Sequence, residues 1–153
     1  MAAIKSSPLS SEIPRILYIT GQPSCGKTTL IKNMVREDGL KHLRVSGFYT
    51  EEVLEGGRRV GFDIVDFDGR SGVLARKGIK SGPKTGEYTI MVDSFEKIAL
   101  PSIKVRGDVD LYVIADEIGR MELHSRGFKM AVTKLIESGK PVFGSIAAPR
   151  YGR

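Results

Sequence analysis

The chain of 153 residues is poor in several features that would assign it to common classes. Cysteine occurs once, as Cys25, so no internal disulfide can form and a disulfide-stapled secreted scaffold is excluded. A reducing setting, the cytoplasm, is the expected location. No apolar run is long enough to span a bilayer. Residues 1–14 are Ser-rich and lack the apolar core of a secretory signal, and no Arg precedes Arg15. They are expected to form a disordered tail, with a very short organelle-targeting segment left open. The two histidines, His42 and His124, have no Cys or His partner at metal-ligand spacing and are read as structural or surface residues. No block of five or six like charges appears, so there is no basic arm of the kind that grips nucleic acid.

Charged residues make up 27% of the chain and hydrophobic residues 41%, the balance of a soluble globular domain. The length suits one domain, residues 15–153. The net charge of +6 favours polyanionic partners, and its dispersal along the chain fits a nucleotide triphosphate better than nucleic acid.

The most informative stretch is GQPSCGKTT, Gly21 to Thr29. It follows the apolar run Ile16–Ile19 and fits G-x-x-x-x-G-K-[ST], the Walker A pattern, at Gly21, Gly26, Lys27 and Thr28. A turn that wraps a triphosphate needs successive backbone N–H groups pointing inward, which a glycine-rich path allows without Cβ clashes. The helix that follows offers unpaired N–H groups and the positive end of its dipole to the anion. Gly21, Gln22, Pro23, Ser24, Cys25, Gly26, Lys27, Thr28 and Thr29 therefore form the expected phosphate cradle. Lys27 supplies charge to the β- and γ-phosphates, and the Thr28 hydroxyl is an expected Mg²⁺ ligand. The plainer alternative is a glycine turn opening an ordinary helix, and the preceding strand and following helix weigh against it. Cys25, near a helix N-terminus where thiol pKa values fall, is read as a tolerated loop filler.

Along the chain, Ile16–Thr20 reads as a buried strand and Lys27–Asp38 as a helix with Leu30, Ile31, Met34 and Val35 on one face. Val45–Val53 and Arg58–Phe67 read as strands joined by a Gly56–Gly57 hairpin turn. A short strand follows at Gly72–Arg76, then an exposed loop at Lys77–Gly86 and a strand at Glu87–Val92. Asp93 to Glu96 has the spacing of a capping box, opening a helix that Pro101 kinks or ends. Leu111–Ala115 is a continuous apolar run, as in a strand covered on both faces. Ser125–Ser138 reads as a helix with Phe128, Ala131, Val132, Leu135 and Ile136 as its buried stripe. Val142–Ile146 is a last buried strand. Strands alternating with helices around an antiparallel insert predict an α/β domain with a mostly parallel core sheet.

The apolar run Leu111–Ala115 ends in Asp116 and Glu117. A phosphate loop holds one side of Mg²⁺, and an acid at the carboxyl end of a neighbouring strand holds the other. Asp116 is that acid by position, of the Walker B type, and Glu117 can orient and deprotonate an attacking water. Arg58, Arg59, Arg120 and Arg150 are candidates for stabilising the transferring phosphoryl group, with Arg120 best placed by sequence. Phe48 and Tyr49 could stack on a base, although aromatics in a half-buried strand are more often core.

Taken in order, GQPSCGKTTLI, GFYTEEV, GGRRVGFDIV, SFEKIALP and ADEIGRMEL resemble the cancer-related nucleoside-triphosphatase family, also called THEP1-type NTPases. The resemblance runs from about Ile16 to Ile146. It implies a three-layer P-loop fold and Mg²⁺-dependent hydrolysis of nucleoside triphosphates to diphosphate and phosphate, with relaxed base preference. It also implies Gly21, Gly26, Lys27, Thr28 and Thr29 as the phosphate loop, Asp116 as the metal acid and Glu117 as the catalytic acid. Family members continue past the position of Arg153. The closing strand and helix of the sheet are then expected to be absent, leaving Ile16–Thr20 at an open edge. Two alternatives stay open: a nucleoside or nucleotide kinase, whose lid would have to come from the arginine-free Lys77–Gly86 loop, and a nucleotide-binding module with little turnover.

Overall fold

The computed structural model describes residues 3–7, 16–21, 33, 43–116, 118–119 and 121–147, with 3–7, 16–21 and 145–147 described by backbone alone. These residues build one nine-stranded sheet. In chain order the strands are β1 (Ala3–Ser7), β2 (Ile16–Gly21), β3 (Val45–Glu55), β4 (Arg58–Asp66), β5 (Ser71–Lys77), β6 (Lys84–Thr85), β7 (Tyr88–Ile90), β8 (Leu111–Ala115) and β9 (Val142–Ala147). In space the order is β1-β2-β9-β8-β3-β4-β5-β7-β6. The core β2-β9-β8-β3 is parallel, and β3 continues outward into the antiparallel β4, β5, β7 and β6. This matches the expected parallel sheet with an antiparallel insert.

Two helices, α1 (Val92–Ser102) and α2 (Arg126–Glu137), cover one face. Phe48 from β3, Phe95 from α1 and Phe128 from α2 meet edge to face, with ring centroids 5.1–5.9 Å apart. Such pairs add about 0.5–1.5 kcal/mol each beyond the area they bury. Phe48 is thus core rather than a base platform, while Tyr49 packs on Phe67 on the opposite face. Of the helix expected at Lys27–Asp38, only Asn33 is described, and it is helical.

The register of β3 against β8 is set at their amino ends. The Arg44 N–H donates to the Asp110 carboxylate at 2.8 Å, and the Asp110 N–H returns a bond to the Arg44 carbonyl. Farther along, Gly47 takes φ 124° and brings its backbone against Val113. The β3–β4 turn at Gly56 and Gly57 has positive φ at both residues, as a two-residue type I′ hairpin requires.

Five details differ from the sequence-based expectation. Residues 3–7, inside the expected tail, form β1 antiparallel to β2, with Ala3 opposite Thr20 and Ser7 opposite Ile16. The phosphate-loop strand is therefore not an open edge, because β1 satisfies its outer backbone groups. That pairing uses main-chain atoms, so composition gives no sign of it. The Lys77–Gly86 loop contains the two-residue β6, laddered onto β7. Helix α1 starts at Val92 with Met91 as N-cap and no side-chain cap. The Met91 N–H is held by the Leu74 carbonyl, which fixes the start before Asp93. Asp93 lies in the first turn, and Glu96 accepts a bond from Ser125 instead. Finally, Ile136 is exposed while Phe128 and Leu135 are buried. Eight residues at 3.6 per turn put it about 80° round from Phe128, off the stripe.

Gly47→Ala should cost more than about 4 kcal/mol by urea unfolding, since the new methyl collides with the Val113 carbonyl at a positive φ. Gly57→Ala, at an exposed tip with open space around it, should lose only about 1–2 kcal/mol.

Candidate active site

Parallel strands bring their carboxyl ends to one edge, the usual position of a ligand site in such sheets. Three strand ends matter here. Gly21, the first residue of the expected phosphate cradle, closes β2 opposite Ala147 of β9. Ala115 closes β8 opposite Ser145 of β9, and Ser145 is opposite Ile19 of β2. Asp116 follows directly. The strand that launches the phosphate loop and the strand that ends in the acid are separated by β9 alone. Two inter-strand steps amount to about 10 Å. Gln22 to Thr29, with Lys27 and Thr28, lie outside the described residues, as do Glu117, Arg120, Arg150 and His42.

Asp116 is 6% exposed, and its Oδ1 accepts the Ile118 N–H at 3.0 Å. This is the two-residue hydrogen bond by which Asp initiates a turn. Gly119 then adopts φ 76°, a backbone state that costs glycine nothing. The chain drops into a 3-10 turn at Met121–Leu123, anchored by the buried Met121. Ser125 finishes the connection. Its hydroxyl accepts the Phe128 N–H as N-cap of α2 and donates to Glu96 of α1 at 2.7 Å. His124 Nε2 lies 2.8 Å from the Thr85 hydroxyl of β6. The acid-bearing connection is thus tied to α1, to α2 and to the antiparallel insert.

The second buried carboxylate, Asp66, serves structure. It accepts from the Asp68 and Arg70 N–H groups and from the Arg70 guanidinium at 3.0 Å, closing the β4–β5 turn. Arg58 is exposed. Arg59 donates to Glu52 at 2.9 Å and to the Tyr88 hydroxyl at 3.0 Å, and stacks over Phe62. Burial pulls the Arg59 pKa down, but the bonds and charge of Tyr88 and Glu52 outweigh it and hold the group above the ordinary arginine value. Its visible task is to lock the β3–β4 hairpin to β7. Among the described residues, no three His, Cys, Asp or Glu side chains converge on a metal-binding position. None of the described helices is long and apolar enough to cross a membrane.

One residue at this edge is given no role by the sequence reading, although it lies within the GFYTEEV stretch. Thr50 is wholly buried on β3, one step beyond the Tyr49–Ala115 pair. A threonine in a strand is common, so its type alone gives no signal.

A family model described as NTPase matches residues 16–151. The chain belongs to the NTPase family. It is 39% identical over 146 residues to the cancer-related nucleoside-triphosphatase homolog of Mus musculus, an alignment covering 89% of this chain and 77% of that protein. It is 41% identical over 130 residues to nucleoside-triphosphatase THEP1 of Thermotoga maritima, covering 85% and 72%. Two solved family structures share the fold. The solution structure of a human cancer-related nucleoside triphosphatase matches with a TM-score of 0.69 at 39% identity, over 88% of this chain and 76% of that one. The crystal structure of THEP1 from Aquifex aeolicus matches with a TM-score of 0.70 at 31% identity, over 90% and 78%. The α/β P-loop NTPase fold inferred from sequence is therefore the fold of this chain.

Asp116→Asn keeps an oxygen for the Ile118 N–H, so thermal unfolding should move by only about 1 kcal/mol. Phosphate release from a nucleoside triphosphate should fall about a hundredfold or more, which a colorimetric phosphate assay reads.

Proposed function

We propose that the chain hydrolyses nucleoside triphosphates to nucleoside diphosphate and phosphate. The observation that carries this reading is the register. It ends β2 at Gly21 and β8 at Ala115, just before Asp116, on the same edge of the sheet with one strand between them. The relatives named nucleoside-triphosphatase, which align over most of this chain, support it.

In this reading the backbone N–H groups of residues 21–29 and the Lys27 ammonium hold the triphosphate. The donor set fits Mg²⁺: the buried Asp116 carboxylate at the mouth and the Thr28 hydroxyl are hard oxygen ligands of the kind this ion takes. When bound, Mg²⁺ supplies charge neutralisation at the phosphate oxygens. Glu117 orients a water in line with the bond to the leaving diphosphate and accepts its proton as the new P–O bond forms. The cradle contacts phosphates, which every nucleoside triphosphate shares, so we also propose a relaxed preference for the base. The lone Cys25 favours a reducing compartment, the cytoplasm, as its setting.

Phosphate release across ATP, GTP, CTP and UTP, with and without Mg²⁺, tests the reading. Release without an acceptor is expected. Phosphorylation of an added nucleoside or monophosphate would make the chain a kinase, and binding without release would make it a nucleotide-binding module. Lys27→Ala should abolish both nucleotide binding and hydrolysis. Glu117→Gln should keep binding and lose turnover by about 10²- to 10⁴-fold, and near-normal turnover in that variant would dismiss Glu117 as the base.

A further inference from the structure

The segment Tyr49–Glu52 of β3 has no part in the reaction described above, yet it runs beside the acid. The β3–β8 ladder is parallel, and its last pair is Tyr49 with Ala115. The next residues along the chain are Thr50 and Asp116, one step past a pair whose backbones lie about 5 Å apart. The two-residue period of a strand puts Thr50 on the face of Phe48, and Asp116 follows directly on the last residue of β8. Phe48 and Ile114 both belong to the core under α1 and α2. Thr50 has no exposed surface and Asp116 has 6%.

Two neighbours of Thr50 on β3 make contacts away from the acid. Tyr49 packs on Phe67 across the opposite face, and Glu52 holds Arg59. Thr50 is the polar residue of β3 set against the acid. Valine would fill the same volume and suit the strand equally well. A hydroxyl with no access to water instead requires a hydrogen-bond partner, and one that donates beside a carboxylate stabilises its charged form. The turn after Asp116 is held from within by the Ile118 N–H and from below by Met121. On the β3 side, Thr50 is the buried hydroxyl one step past the last β3–β8 pair.

We propose that the Thr50 hydroxyl is a positioning donor to the turn that begins at Asp116, steadying the Asp116 carboxylate at the carboxyl edge of the sheet. This rests on the hydrolase reading above. Thr50 does not touch the nucleotide, so its removal should alter turnover and leave binding alone.

The test compares Thr50→Val and Thr50→Ser in the full chain, with Glu117→Gln as the reference. In Thr50→Val, kcat should fall about 10- to 100-fold, as for other residues that orient a ligating side chain, with KM and nucleotide affinity within about twofold of wild type. Thr50→Ser should recover most of the rate, because it restores the donor without the methyl group. Should Thr50→Val not fold, Thr50→Ala removes the same hydroxyl with less bulk and carries the same expectation. Wild-type kcat in a folded variant lacking the hydroxyl would overturn the proposal. A Thr50→Ser rate no better than that of Thr50→Val would overturn it too, by showing that shape and not the donor matters. If Glu117→Gln itself turns over normally, the fault lies with the assignment of the base, whatever Thr50 does.

Discussion

The close approach of β3 to β8 at Gly47 is the contact on which the site depends. Gly47 lies flush against the Val113 backbone, and the reciprocal Arg44–Asp110 bonds fix the strands at their other end. Between these two points the parallel register has no freedom to slip. A one-residue shift would send each side chain of β3 to the opposite face. Phe48 would leave the aromatic cluster and Thr50 would leave the neighbourhood of Asp116. Core packing and the site edge are therefore set by one alignment.

The rest of the molecule makes that edge stiff. Catalysis of phosphoryl transfer depends on charges and donors already in place when charge moves, so a carboxylate that must reorient contributes little. The connection from Asp116 to α2 is short and tied at several points: to its own backbone at Ile118, to the core at Met121, to α1 through Ser125 and Glu96, and to the insert through His124 and Thr85. The insert is in turn locked to β3 by Arg59, held between Glu52 and Tyr88. Elements distant in sequence thus brace one turn.

What could be read in advance follows from whether the cause is local. Gly56–Gly57 announces its turn because that turn needs positive φ twice. Leu111–Ala115 announces a central strand because both its faces are covered. Ser125 announces a helix start because its side chain makes the cap bond itself. The acid after β8 was legible for the same reason, since a strand end followed by Asp116 is a local pattern. The strand at Ala3–Ser7 was hidden because what it satisfies belongs to β2, far along the chain. The start of α1 was misplaced because the bond from Met91 to Leu74 outranks the local Asp93 spacing. Thr50 is the same case at the site: the role proposed for it depends on Asp116, 66 positions away, which no window of sequence contains.

The pairing of β1 with β2 has a practical side. Because the two run antiparallel, Ala3 stands beside Thr20, and the strand enters from the end of the sheet where the phosphate loop begins. A purification tag or fluorescent fusion joined ahead of Ala3 would be delivered to the carboxyl end of β2, the edge of the sheet where the nucleotide site is proposed. The Gly56–Gly57 tip, with open space around both glycines, is the gentler place to attach a probe.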